Sequence, residues 1–170
     1  MLSESARMTT AAEARFRIDA PNSRPRTIKV IALDAACADV VKQLAQARWN
    51  KATFLMASAF AAPSRKGEPF SMRGWLSDLT GRTQDLVDEV QTADLVVMVS
   101  AAGENAAAAS VIGEACRARK VMTTALILHS DAKSDEALAK TLSFLRPYAS
   151  MLVVANGEDY IESMLVALRA

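Results

Sequence analysis

The stretch ADLVVMVSAAGENAAAAS, Ala93 to Ser110, decides the fold. Leu95 to Ser100 (LVVMVS) is an unbroken apolar run of strand length, and a helix is predicted over Asn105 to Arg119. A run without polar alternation marks a strand buried on both faces. A strand feeding directly into a helix is the unit of a parallel sheet. The turn between them, VSAAGENAAAAS from Val99 to Ser110, falls where α/β proteins grip phosphate. It holds one glycine and six alanines.

The same unit repeats outward from this stretch. Upstream, Ile28 to Leu33 (IKVIAL) is a strand, Ala38 to Trp49 a helix, and Thr53 to Ala59 (TFLMASA) a second strand. Downstream, Val121 to Leu128 (VMTTALIL) and Met151 to Ala155 (MLVVA) are strands. They are followed by helices over Asp135 to Tyr148 and Asp159 to Arg169. This alternation predicts an α/β domain: a three-layer, doubly wound, Rossmann-like and mostly parallel five-stranded sheet with right-handed crossovers. Val40, Val41, Leu44 and Ala47 form one apolar stripe at helical spacing, and Leu138, Leu142 and Leu145 another. Both read as core. Residues 1–26 are expected to be a flexible tail and 27–170 a single domain. The rhythm breaks at the long loop 61–82, AAPSRKGEPFSMRGWLSDLTGR, and resumes with a short helix from Thr83 to Gln91.

A chain of 170 residues can bury one full core. Its 20 basic residues nearly cancel 19 acidic ones, so no global field favours nucleic acid or an anionic membrane. The single histidine, His129, excludes a metal site built on several imidazoles, and two cysteines give neither a disulfide scaffold nor a zinc site. Asp131, Asp135 and Glu136 are too loosely spaced for a metal loop. No apolar run approaches the roughly 20 residues of a membrane span. The N-terminus lacks the apolar core of a secretory signal. The expectation is a cytoplasmic protein with no cofactor, no metal and no membrane contact.

Ligands of a doubly wound sheet bind beyond the carboxyl ends of the strands. Those ends supply Asp34 and Cys37; Ser58; Ser100, Gly103, Glu104 and Asn105; His129, Ser130 and Asp131; and Asn156, Gly157 and Glu158. The first turn, LDAACAD from Leu33 to Asp39, has no glycine, and a Cβ there blocks a pyrophosphate from the backbone amides. Asp34 adds negative charge at the same place. In the turn after Ser100, Gly103 can reverse the chain and Asn105 can cap the helix. Glu104 would itself occupy the positive field of the helix N-terminus. Two readings stand: a capped, tightly packed helix, or an anion site on its free amides. Cys37 and His129 likewise admit two readings. They are a thiol and base at the ligand edge, or a buried cysteine and a loop histidine. Cys116, inside a helix, reads as packing.

The long loop carries Arg65, Lys66, Arg73 and Arg82 with Phe70 and Trp75 interleaved. Arg65, Lys66, Phe70, Arg73 and Trp75 are its partner-binding candidates. The alternatives are an acidic protein surface anchored by Trp75, nucleic acid held by charge and stacking, or a solvated loop. Protein contact is preferred over nucleic acid.

Three segments resemble FtsZ, the bacterial tubulin homologue. Ile28 to Leu44 (IKVIALDAACADVVKQL) is similar to that family's first strand and glycine loop. Ala93 to Ala115 (ADLVVMVSAAGENAAAASVIGEA) is similar to its GGGTGTG segment, and Leu145 to Asn156 (LRPYASMLVVAN) to a later strand. The resemblance implies the core fold and a habit of self-association or partner binding. It does not carry GTPase activity. The family's first glycine loop falls on Asp34, Ala35, Ala36, Cys37 and Ala38. Its GGGTGTG loop falls on Ala101 to Ala107, where only Gly103 keeps a glycine and both threonines are gone. The sequence reaches Ala170 without that family's second domain, which completes GTP hydrolysis.

The expected function is therefore a non-catalytic binding or regulatory module. It has the form of a nucleotide-binding fold, uses no nucleoside triphosphate, and takes a protein partner, another copy of itself included. The alternative is a small-molecule binding protein or enzyme that uses Ser100, Asn105, His129 and Asn156 in the same crevice. A nucleotide-binding protein of unusual loop chemistry is the third reading.

Overall fold

The computed structural model describes residues 25–57, 76–130, 132–156 and 159–170. The elements are β1 (Ile28–Ala32), α1 (Ala35–Leu44), β2 (Ala52–Ala57), β3 (Leu76–Asp78), β4 (Thr83–Gln84) and α2 (Leu86–Gln91). They continue with β5 (Leu95–Ala101), α3 (Ala108–Arg119), β6 (Met122–Leu128), α4 (Asp135–Leu145), β7 (Met151–Ala155) and α5 (Asp159–Ala167). A single 3-10 turn, Arg146–Tyr148, joins α4 to β7.

All strands of the described residues lie in one sheet of order β4-β3-β2-β1-β5-β6-β7. The five apolar runs are the parallel strands β2-β1-β5-β6-β7. The chain winds one way from β1 to β2 and the other way from β5 through β7. The winding reverses between β1 and β5, which run in register from Ile28 opposite Leu95 to Ala32 opposite Val99. In doubly wound sheets such a reversal, here at the carboxyl ends of β1 and β5, is where ligands bind.

Among the described residues the sheet has seven strands, not five. The added pair, β3 and β4, is antiparallel and extends the β2 edge. It occupies the end of the expected loop 61–82 and the start of the expected helix at Thr83. Strands of three and two residues are too short for periodicity to show. Their turn is organised by Asp78. Its Oδ1 accepts from the Thr80 hydroxyl at 2.6 Å and from the Thr80 and Arg82 amides at 2.9 Å, while Arg82 Nε donates to Oδ2 at 3.0 Å. The helix starts three residues later than expected because Asp85 caps it, accepting from Val87 N at 2.8 Å.

Two apolar layers flank the sheet. On one face α1 and α5 bring Cys37, Val40, Val41, Ile161 and Leu165 against Ile28, Val30, Val97 and Val99. On the other, α2, α3 and α4 bring Leu86, Val90, Ala109, Ile112 and Leu145 against Ile31, Val96, Met98 and Ile127. Each fully buried large side chain contributes about 1.5–3 kcal/mol by leaving water. The alanines of α3 let that helix sit close to the sheet. Gly113 lets it sit close to the 3-10 turn, because a Cβ there would lie 2.5 Å from the Tyr148 Cβ. Among the described residues one charged side chain, Lys29, is buried in this second layer. Lys29 Nζ on β1 donates to Glu89 Oε2 of α2 at 2.6 Å and to Thr53 Oγ1 at 3.3 Å. No helix among the described residues is long and apolar enough to cross a membrane.

Candidate functional site

Asp34 follows β1 and caps α1. Its Oδ1 accepts from the Cys37 amide at 2.9 Å. Its Oδ2 accepts from the Ser100 hydroxyl at 2.9 Å and from the Ala101 amide at 3.0 Å. The carboxylate thus bridges the winding reversal. It takes donors from the first turn of α1 and from the end of β5, two places where a bound anion would seek amides. Ser100 is fully buried on β5, and this bond satisfies its hydroxyl.

The turn after β5 is closed as well. Gly103 has φ +87°, which favours glycine, and a Cβ there would meet the Ala137 Cβ at 3.2 Å. The Gly103 amide donates to Thr141 Oγ1 at 2.9 Å, and the Thr141 hydroxyl donates to the Ala137 carbonyl at 3.2 Å. Helix α4 therefore lies against the turn and takes one of its amides. The Ala102 amide is spent on the Leu128 carbonyl and the Glu104 amide on the Ala101 carbonyl. Ala102, Ala106, Ala108 and Ala109 are all buried. Glu104 pairs with Lys133 at 3.5 Å across the mouth of this turn. Asn105 Oδ1 accepts from the Ala107 amide at 3.0 Å, ahead of a helix that begins at Ala108 rather than Asn105.

Cys37 and His129 are placed apart. Cys37 is fully buried in the layer under α1, among Val40, Val41 and Val97. His129 follows β6, and β5 lies between β1 and β6. Two strand spacings separate those ends by roughly 10 Å. His129 instead borders an open pocket of about 280 Å³ with Ala101, Ala102, Leu128, Ser130, Lys133 and Asn156. Its amide donates to the Ala155 carbonyl at 2.9 Å, and its Nδ1 is buried with no hydrogen-bond partner among the described residues. The structure thus divides the sequence candidates. Asp34, Ser100 and Gly103 are locked into the fold, with Glu104 and Asn105 beside them, while His129 and Asn156 line the pocket.

Cys116 is buried in α3, and burial pushes its thiol up to about 12. Among the described residues no group of three or more histidine, cysteine or acidic side chains is placed to hold a metal. Ser58, Arg65, Lys66, Phe70, Arg73, Trp75, Asp131, Gly157 and Glu158 lie outside the described residues. Sequence reading missed Thr141 and Lys133. Thr141 carried a signal, as a lone hydroxyl inside the apolar stripe of Leu138, Leu142 and Leu145.

No protein-family model matches the chain, and no curated protein matches it. Among solved structures it is similar to the translation elongation factor SelB from Methanococcus maripaludis, in its apo form. The identity is 10% and the TM-score 0.45 over 85% of this chain. This chain covers 37% of that chain.

Proposed function

We propose that this chain is a non-catalytic binding or regulatory module built on a nucleotide-binding type of fold, and that it uses no nucleoside triphosphate. One observation carries the reading: the Asp34 carboxylate accepts from Cys37 N, Ser100 Oγ and Ala101 N at the winding reversal. A phosphate entering there would displace a fixed negative charge or sit against it, and both cost free energy. The Gly103 amide, held by Thr141, supports the same reading. The FtsZ likeness then concerns the strand-and-turn framework and not its chemistry. A module with its crevice filled acts through its surface, so the partner is a protein. Thermal melts with GTP, ATP, NAD and a flavin test this, since a ligand bound only by the folded state raises the melting temperature. No rise is expected with any of them, and a saturable rise would refute the proposal.

A second reading is favoured by the pocket that His129 borders, where its buried Nδ1 has no hydrogen-bond partner among the described residues. A small molecule there would lie against His129, Ser130 and Asn156, and would reach Nδ1 only if the imidazole ring turned. The pocket lies beside the closed turn and not in it, so the two readings differ in ligand class. Loss of small-molecule binding in a His129→Ala variant would support the second.

A further inference from the structure

The two edges of the sheet are built differently. One ends in β4, two polar residues long, Thr83 and Gln84. Short polar edges resist pairing with another chain. The other ends in β7, MLVVA, which carries no charge and no proline. Met151 and Val154 of this strand are 44% and 40% exposed.

The direction of the β7 backbone follows from one bond. The Ala155 carbonyl accepts from the His129 amide, so the Ala155 backbone faces β6. Peptide groups alternate sides along a strand. Met151, Val153 and Ala155 therefore direct their N–H and C=O toward β6, and Leu152 and Val154 direct theirs outward. Among the described residues no strand pairs with that outer side.

We propose that β7 pairs antiparallel with β7 of a second copy of this chain, across a two-fold axis through Val153. A two-fold makes identical strands antiparallel. In this register Leu152 faces Val154 of the second copy, and the outward groups of each pair exchange both N–H···O bonds. Met151 meets Ala155, large against small. Ser150 and Asn156, the polar residues flanking the strand, meet each other. Sliding the axis to Leu152 would set Ser150 against Val154 and lose that match. The strand carries no charge, so two copies meet without repulsion, and its own copy matches it in length and polarity. The inference rests on the interaction-module reading for the class of its partner.

Sedimentation of the full chain tests it. The wild type is expected to be a dimer. Val154→Lys puts a charge on the exposed edge and should raise the dimer dissociation constant by about tenfold or more. Val154→Pro removes one outward N–H, a change that edge strands tolerate, and should act the same way. Circular dichroism confirms that each variant folds. Mixing Val154→Lys with Val154→Asp should restore the dimer, because the two positions are diagonal neighbours within reach of long side chains. Hydrogen exchange should find the Leu152 and Val154 amides protected in the dimer and open in Val154→Lys. A monomeric wild type at the highest soluble concentration, or a dimer unaffected by both substitutions, overturns the proposal. A monomer with those two amides protected would assign the edge to another segment of the same chain and also overturns it. Triphosphate binding by an intact dimer would refute the closed-crevice reading and leave this one standing.

Discussion

The carboxylate of Asp34 receives the hydroxyl of Ser100 at 2.9 Å, across the point where the sheet reverses its winding. The same carboxylate receives the Ala101 and Cys37 amides. A side chain of the protein thus stands where an open nucleotide fold presents amides to a ligand. The bond is also structural, since it ties α1 to the end of β5. Replacing Asp34 with alanine should cost about 3 kcal/mol, from a lost cap of about 1 kcal/mol and lost charge-assisted bonds of about 1.5–3 kcal/mol. Asp34→Asn, which keeps acceptor oxygen for the cap, should cost about 1 kcal/mol. Urea denaturation of the two variants measures both.

Lys29 and Glu89 form an ion pair under α2, with the Lys29 side chain 9% exposed and that of Glu89 20%. Removing one partner strands the other charge in the apolar layer. Glu89→Ala should therefore destabilise the fold by about 3 kcal/mol. The double variant Lys29→Met, Glu89→Leu should lose much less, because neither charge then remains buried. A double-mutant cycle in chemical denaturation checks the sign and size of the coupling.

The hairpin of β3 and β4 should respond to acid. The Thr80 hydroxyl foremost, with the Arg82 and Thr80 amides and the Arg82 side chain, holds the Asp78 carboxyl down from 3.8 to about 2. A lowered folded value means that the stabilisation is complete above 3.8 and is lost as pH falls through about 2. An NMR titration should give Asp78 a midpoint near 2, with the Thr80 and Arg82 amide shifts moving together. In Thr80→Ala the midpoint should rise toward 3.8.

The thiols should be silent in the native protein. Cys37 and Cys116 are both buried, and burial raises Cys116 to about 12. Alkylation needs the thiolate. Iodoacetamide at pH 8 should label neither cysteine until denaturant is added, and then label both, as read by mass spectrometry.

Much of the fold was legible in the sequence because buried parallel strands are continuous apolar runs. The runs at Ile28, Leu95, Val121 and Met151 each became a strand within a residue or two. The β3–β4 pair was not legible, since Leu76–Asp78 is only three residues long and its turn depends on how Asp78 folds back. Helix ends moved where a cap outweighed the apolar stripe: Asp34 starts α1 at Ala35, three residues before Ala38, and Asp85 starts α2 at Leu86. At the site, the missing glycines at Asp34 to Ala38 could be read directly. The partners of what replaced them could not. Asp34 with Ser100, and Gly103 with Thr141, are 66 and 38 residues apart in the chain. Such pairs form only once β1, β5 and α4 have come together.

If protein groups fill the phosphate position, a crystal soaked with magnesium and GTP will show it. No triphosphate density is expected at the end of β5, with the Asp34 carboxylate still bonded to Ser100 and the Gly103 amide still bonded to Thr141. Triphosphate density lying against Gly103, with Asp34 turned away from Ser100, would contradict it.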